Sequence, residues 1–162
     1  MIIDIHIHEK TYSLDSRISL EDIAAEAKRK GLDGICITDH DSNGLYEYAR
    51  EFQKKSDLLI IVGAEIFTYE GDILVFGLNR LPEGRIHARE LLSLVHENKG
   101  AAIGAHPYRE NNRGIGDKMR SLLYLSGIET FNGRTEDENN RKAFHMSVLY
   151  NIPGLGGSDA HE

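Results

Sequence analysis

An α/β fold is what this sequence predicts, and three observations predict it. Short β-branched runs alternate with helix-patterned segments from end to end. No Ser/Gly linker, low-complexity tract or internal repeat interrupts them. Strands followed in turn by helices suggest a closed or nearly closed parallel barrel, whose function collects at the C-terminal ends of the strands. The open doubly wound alternative carries a glycine-rich phosphate loop after its first strand, where this chain has His6-Ile7-His8.

The first strand spans Ile2 to Ile7, and its spacing by two projects Asp4, His6 and His8 to one face and Ile3, Ile5 and Ile7 to the other. A helix follows with Ser19 as N-cap, Asp22 at N3, an apolar pattern of Ile23, Ala24 and Ala27, and Gly31 as a natural terminator. Further strands are predicted at Gly34–Thr38, Leu59–Ala64, Ile73–Gly77, Ala101–Ala105, Gly127–Phe131 and Pro153–Gly157, which makes seven. Helices are predicted at Asn43–Lys54, Ala88–Asn98, Asp117–Leu125 and Glu136–Tyr150. Only Tyr69-Glu70-Gly71-Asp72 separates the third and fourth strands, so that link reads as a hairpin rather than a crossover.

Composition narrows the class. At 162 residues the chain suits one domain, residues 1–162, and its 40% hydrophobic and 28% charged content is that of a globular protein. No apolar run approaches a membrane span, and the N-terminus lacks the basic region of a signal peptide, so a cytoplasmic protein is expected. The lone Cys36 sits in an apolar run and reads as a buried small hydrophobe. With 26 acids against 19 bases, the formal charge of −7 repels polyanions and argues against a dedicated nucleic-acid surface. It leaves room for a small phosphorylated ligand, because bound cations reverse the field locally.

Five of the eight histidines, His6, His8, His40, His106 and His161, fall at predicted strand ends. Asp39 and Asp41 flank His40, Glu65 ends the third strand, and Asp159 precedes His161. His87, His96 and His145 fall in or beside helices and read as ordinary histidines. Imidazoles mixed with carboxylates, without thiolates, suit Mn, Fe or Zn, and so many ligands exceed what one ion uses. A multinuclear centre is expected, and hydrolysis is the typical work of such a centre.

The ordered set Asp4-x-His6-x-His8, Tyr12-Ser13-Leu14-Asp15-Ser16, Thr38-Asp39-His40, Gly63-x-Glu65, Ala105-His106-Pro107, Glu129-Thr130-Phe131-Asn132-Gly133 and Gly157-Ser158-Asp159-Ala160-His161 resembles the PHP (polymerase and histidinol phosphatase) superfamily of metal-dependent phosphoesterases. The resemblance implies a distorted seven-stranded (β/α) barrel with two or three divalent ions at its C-terminal rim. It implies one ion on His6, His8, Glu65 and Asp159, a second sharing Glu65 with His106, and a third on His40 and His161, with Asp15 beside them. Where the family often has a histidine, this chain offers Asp72. Asp4 and Asp39 are expected to orient the ligand imidazoles from behind. The chain ends one residue after His161, so the helix expected to cover the last strand is missing, as in a minimal member or a truncated piece.

The expected reaction is hydrolysis of a small phosphate ester, a nucleotide or sugar phosphate, by a metal-activated hydroxide. Glu65 and His161 are the catalytic candidates at the ions, and Arg109 and Arg134 are placed to fork onto phosphate oxygens. Arg113 reads as a solvated loop charge. Two other classes remain open: a noncatalytic metal-binding module regulating a larger assembly, and an amidohydrolase-type metal hydrolase.

Overall fold

The computed structural model describes all residues from Met1 to Glu162. Its elements in order are β1 (Ile3–Ile7), α1 (Leu20–Arg29), β2 (Gly34–Ile37), α2 (Tyr46–Gln53), β3 (Leu59–Val62), β4 (Ala64–Phe67), β5 (Asp72–Phe76), α3 (Ala88–Glu97), β6 (Ala101–Gly104), a 3₁₀ turn (Gly116–Ser121), β7 (Gly127–Asn132), α4 (Asp137–Tyr150) and β8 (Gly154–Gly157). The α/β expectation therefore holds. No helix is long and apolar enough to cross a membrane.

The strands form two sheets. β1, β2 and β3 pair in parallel, while the other sheet runs β4-β5-β6-β7-β8, with β5 antiparallel to both of its neighbours. Isolated parallel bridges, His40 to Glu65 and Ile7 to Ala160, link the sheets at both margins. Eight strands replace the predicted seven because the run Leu59–Ala64 breaks at Gly63. A side chain at Gly63 would drive into the Val75 carbonyl and lie 2.6 Å from Phe76 Cδ1, so the chain bends there and continues in the second sheet. The predicted hairpin over Tyr69–Asp72 is present as the β4-β5 link.

Three apolar clusters hold these layers. Leu20, Ile23, Ala24 and Ala27 of α1 pack with Ile35 and Ile37 of β2, and α1 starts where Ser19 Oγ accepts from Asp22 N at 3.2 Å. Leu91, Leu92 and Val95 of α3 pack on Ile73, Val75 and Ala102. Between the sheets lie Ile5, Cys36, Leu74, Ile103 and Ala105, which includes the lone cysteine as a buried apolar residue. The helix expected over Asp117–Leu125 is absent. Within the six-residue 3₁₀ turn only Met119 is buried, so no apolar stripe of helical period anchors a longer helix.

β1 does not alternate as predicted. Its pairing with β2 shifts register between Asp4 and Ile7, so Ile5 packs between the sheets while Ile7 joins the α1 side. His6 and His8 still reach one point, but Asp4 leaves their face and lines a groove against α1.

Candidate metal centre

The strand ends converge on an open cavity of about 380 Å³ lined only by polar and charged residues. His40, Glu65, Asp72, His106, Asp159, His161 and Asp15 line it, with Arg109, Arg113 and Arg134 among the rest. His6 and His8 sit beneath, fully buried. All nine residues expected to bind metal are thus brought together. Two of them are aimed by unusual backbone: His106 and Asp159 have φ of 27° and 56°, left-handed conformations that non-glycine residues adopt at a cost and that cluster at functional sites.

Glu65 sits at the middle. Its Oε1 lies 2.8 Å from His106 Nε2, and its Oε2 lies 2.9 Å from His40 Nδ1, 3.4 Å from His8 Nε2 and 3.6 Å from His6 Nε2. Asp159 Oδ1 lies 3.4 Å from the Nε2 atoms of both His6 and His8. At the outer side, Asp15 Oδ2 is 3.3 Å from Nε2 of His40 and of His161. Four overlapping donor sets result: His6, His8 and Glu65; His6, His106 and Asp159; Glu65, Asp72 and His106; and His8, His40 and His161.

These residues fit metal ions by their own hydrogen bonding. His6 Nδ1 faces Glu129 Oε1 at 2.9 Å, so it carries a proton. Ser13 Oγ gives its proton to Asp39, so it accepts from His8 Nδ1 at 3.1 Å. With both Nδ1 atoms protonated, the two Nε2 lone pairs face each other at 2.9 Å, which demands a cation or a proton between them. His40 Nδ1, His106 Nδ1 and Asp72 Oδ1 are buried without any hydrogen-bond partner, although His40 Nδ1 is close to Glu65. Unpartnered buried polar atoms are costly, and a cation relieves those that face it. The nitrogen and oxygen donors suit Mn, Fe or Zn.

The electrostatics agree. Burial alone would lower His6, but the Glu129 and Glu65 carboxylates outweigh it and hold the imidazole well above its usual range. His40 is raised in the same way by Glu65 and then Asp15. His8, where burial wins, is pushed down to about 4. Burial opposes ionisation of Glu65 and Asp159, yet the histidines around them, with Arg109 at Asp159, keep both carboxyls well below the ordinary value. Asp72 is pushed up to about 8, by burial first and by Glu65 second.

The supporting residues differ from those expected. Asp4 Oδ1 accepts from the backbone N–H groups of His6 and Ser158, and Asp39 Oδ1 accepts from Glu9 N and Ser13 Oγ. Neither touches an imidazole, because the bulge in β1 turns Asp4 away and Ser13 stands between Asp39 and His8. Glu129 does the work instead: beyond His6 it accepts from His106 N at 2.7 Å and Asn132 Nδ2 at 2.9 Å. Its signal in the sequence is an acid inside the apolar run Gly127–Phe131. Arg109 spends Nε on Thr135 and Nη2 on Asn132 and Asp159, while the exposed Arg134 lines the cavity. Arg113 is not a solvated charge: its Nε donates to buried Asp72 Oδ2 at 2.6 Å.

Comparison with known proteins agrees with this geometry. The PHP domain family matches residues 4–142. Protein MJ1587 of Methanocaldococcus jannaschii is 31% identical over 83% of this chain and 83% of its own. A Caldicellulosiruptor saccharolyticus protein named "Probable phosphatase" is 34% identical over 88% of this chain and 73% of its own. The fold matches a Bifidobacterium adolescentis crystal structure with TM-score 0.83 at 16% identity, covering 99% of this chain and 87% of that one. It also matches a two-domain Bacteroides vulgatus protein containing a predicted PHP-like metal-dependent phosphoesterase, with TM-score 0.79 at 22% identity over 98% of this chain and 51% of that one. The converging histidines and carboxylates and the family match along most of the chain lead to one conclusion: this chain belongs to the PHP domain family.

Proposed function

We propose that this chain is a metal-dependent phosphoesterase that hydrolyses a small phosphate ester of the nucleotide or sugar phosphate type, using two or three divalent ions. The observation that carries it is Glu65, a buried carboxylate whose two oxygens face different histidines, as a bridge between ions requires. The two sheets then act as halves of a distorted seven-stranded barrel, with β3 and β4 as one strand interrupted at Gly63.

Ions held by His6, His8, Glu65 and Asp159, by Glu65, Asp72 and His106, and by His40, His161 and Asp15 would lower the pKa of a water and neutralise charge developing on phosphate oxygens. The chain's own groups do the rest. Arg134, exposed on the cavity wall, is the guanidinium to fork onto non-bridging oxygens. Arg109 orients Asp159 and has only its second terminal nitrogen to offer a substrate. His161 donates Nδ1 to the Asp159 carbonyl at 2.8 Å, which turns Nε2 toward the reaction space. An open cavity with no apolar wall, on a chain of charge −7, favours a compact anion over a long polyanion.

The test is a screen of phosphomonoesters and diesters with Mn, Fe, Zn or Mg returned to metal-stripped protein. Glu65→Gln is expected to lower kcat at least about a hundredfold, roughly 2.7 kcal/mol of barrier, with the fold retained. Near wild-type turnover in both Glu65→Gln and His6→Ala would contradict the proposal.

A further inference from the structure

Asp72 and Asp159 are each gripped by an arginine. Asp159 gives Oδ2 to Arg109 at 2.5 Å and leaves Oδ1 facing His6 and His8. Asp72 gives Oδ2 to Arg113 at 2.6 Å, that same oxygen lies 3.7 Å from His106 Nε2, and Oδ1 is buried without a hydrogen-bond partner; the residue shares a donor set with Glu65 and His106. We propose that Arg113 is a positioning residue for the metal centre: by gripping Oδ2 it fixes the Asp72 carboxylate in the donor set with Glu65 and His106. The inference rests on the metal reading above and adds to it a residue outside the donor sets.

Several contacts show that Arg113 is held in place. Its carbonyl accepts from Asp72 N at 2.7 Å, so backbone and side chain both grip the same aspartate. The following residues are wedged between the two elements that supply the ligands. Gly71 has φ of +149°, and a side chain there would lie 2.6 Å from Ile115 N, while one at Gly114 would lie 3.1 Å from the His106 carbonyl oxygen. Gly116 N completes the clamp by donating to the Pro107 carbonyl at 2.7 Å. The guanidinium carbon lies 4.2 Å from the Phe67 ring centroid, and Phe67 is the cross-strand partner of Asp72, so the pairing of β4 with β5 sets platform and carboxylate side by side. Glu65 and Asp72 are both buried in one donor set, and Arg113 is the cation in direct contact with the Asp72 carboxylate.

The experiment uses the whole chain, stripped of metal and titrated with Mn or Zn against a chromogenic chelator, with the melting temperature of each metal-free variant recorded. Arg113→Gln is expected to weaken one ion about tenfold or more and leave the others unchanged, and Asp72→Ala to weaken the same ion. Asp72→His alone strands an unpaired guanidinium beside a cation and is expected to weaken that ion about tenfold, while Asp72→His with Arg113→Gln returns it to within about threefold of wild type. A residue that merely docks its loop would give no such rescue. If Arg113→Gln lowers the metal-free melting temperature, Arg113→Lys, which keeps the charge and loses the planar donor, is expected to show an intermediate affinity. The proposal is overturned if wild type and Arg113→Gln bind every ion equally, or if the double variant binds no better than Asp72→His. Failure of the wild-type chain to take up any ion would instead overturn the metal reading itself.

Discussion

Replacing Glu129 by glutamine changes one oxygen for an NH₂ group at constant size, at a side chain that is fully buried and accepts three hydrogen bonds. If the amide oxygen stays on His106 N and Asn132 Nδ2, the NH₂ faces His6 Nδ1, and the imidazole must move its proton to Nε2, the nitrogen that faces His8. If the amide turns over, His6 keeps its tautomer but two donors confront the NH₂. Either way a charge-assisted hydrogen bond of about 1.5–3 kcal/mol is lost, so Glu129→Gln is expected to bind metal about 10- to 100-fold more weakly. Competition against a chromogenic chelator measures this directly. A second readout is thermal: an ion at 100 times its Kd stabilises the folded chain by about 2.7 kcal/mol, or on the order of 5–10 °C for a domain of this size, and the variant keeps only part of that gain at the same metal concentration. Metal affinity within about threefold of wild type, with an unchanged metal-induced melting shift, would refute the role given to Glu129.

Metal uptake is expected to release protons, because His6 and His40 are held protonated above the usual imidazole range by their carboxylate neighbours and must give up a proton to bind an ion. Affinity therefore rises with pH until those raised values are passed and falls on acidification; calorimetry in buffers of different ionisation enthalpy measures the protons released, and zero release at pH 7 would contradict it. The Cys36 thiol, pushed up to about 12 by burial first and by Asp4 second, is expected to resist alkylation in the folded chain at pH 8 and to react at an ordinary rate in denaturant. Mass spectrometry after timed iodoacetamide treatment distinguishes the two states.

Seven of the nine candidate ligands, His6, His8, His40, Glu65, His106, Asp159 and His161, were legible because barrel-like folds place function at strand ends, and strand ends can be found from periodicity; Asp15 and Asp72 entered only through the resemblance to the PHP superfamily. What stayed hidden depends on partners distant along the chain. Arg113 and Asp72 are 41 residues apart, and nothing local distinguishes that arginine from a solvated one. Glu129 and His6 are 123 apart, and Glu129 entered only as part of the motif Glu129-Thr130-Phe131-Asn132-Gly133, with no role assigned to it. The face of Asp4 was misassigned because a register shift in β1 cancels the period of two. The division at Gly63 was missed because the close approach that forces it comes from Val75 and Phe76, on another strand. Over Asp117–Leu125 the apolar residues suggested a helix, but Leu123 and Tyr124 are exposed and Tyr124 takes φ of 65°, so the pattern had no core to meet.

The central claim is that His6, His8, His40, His106, His161 and their carboxylates form a centre for more than one ion, and elemental analysis of the purified, undialysed chain tests it most directly. At least two equivalents of transition metal per chain are expected, falling when Glu65, whose two oxygens face separate histidines, is replaced by glutamine. Less than about half an equivalent, with no uptake when Mn, Fe or Zn is supplied to the stripped protein, would contradict it.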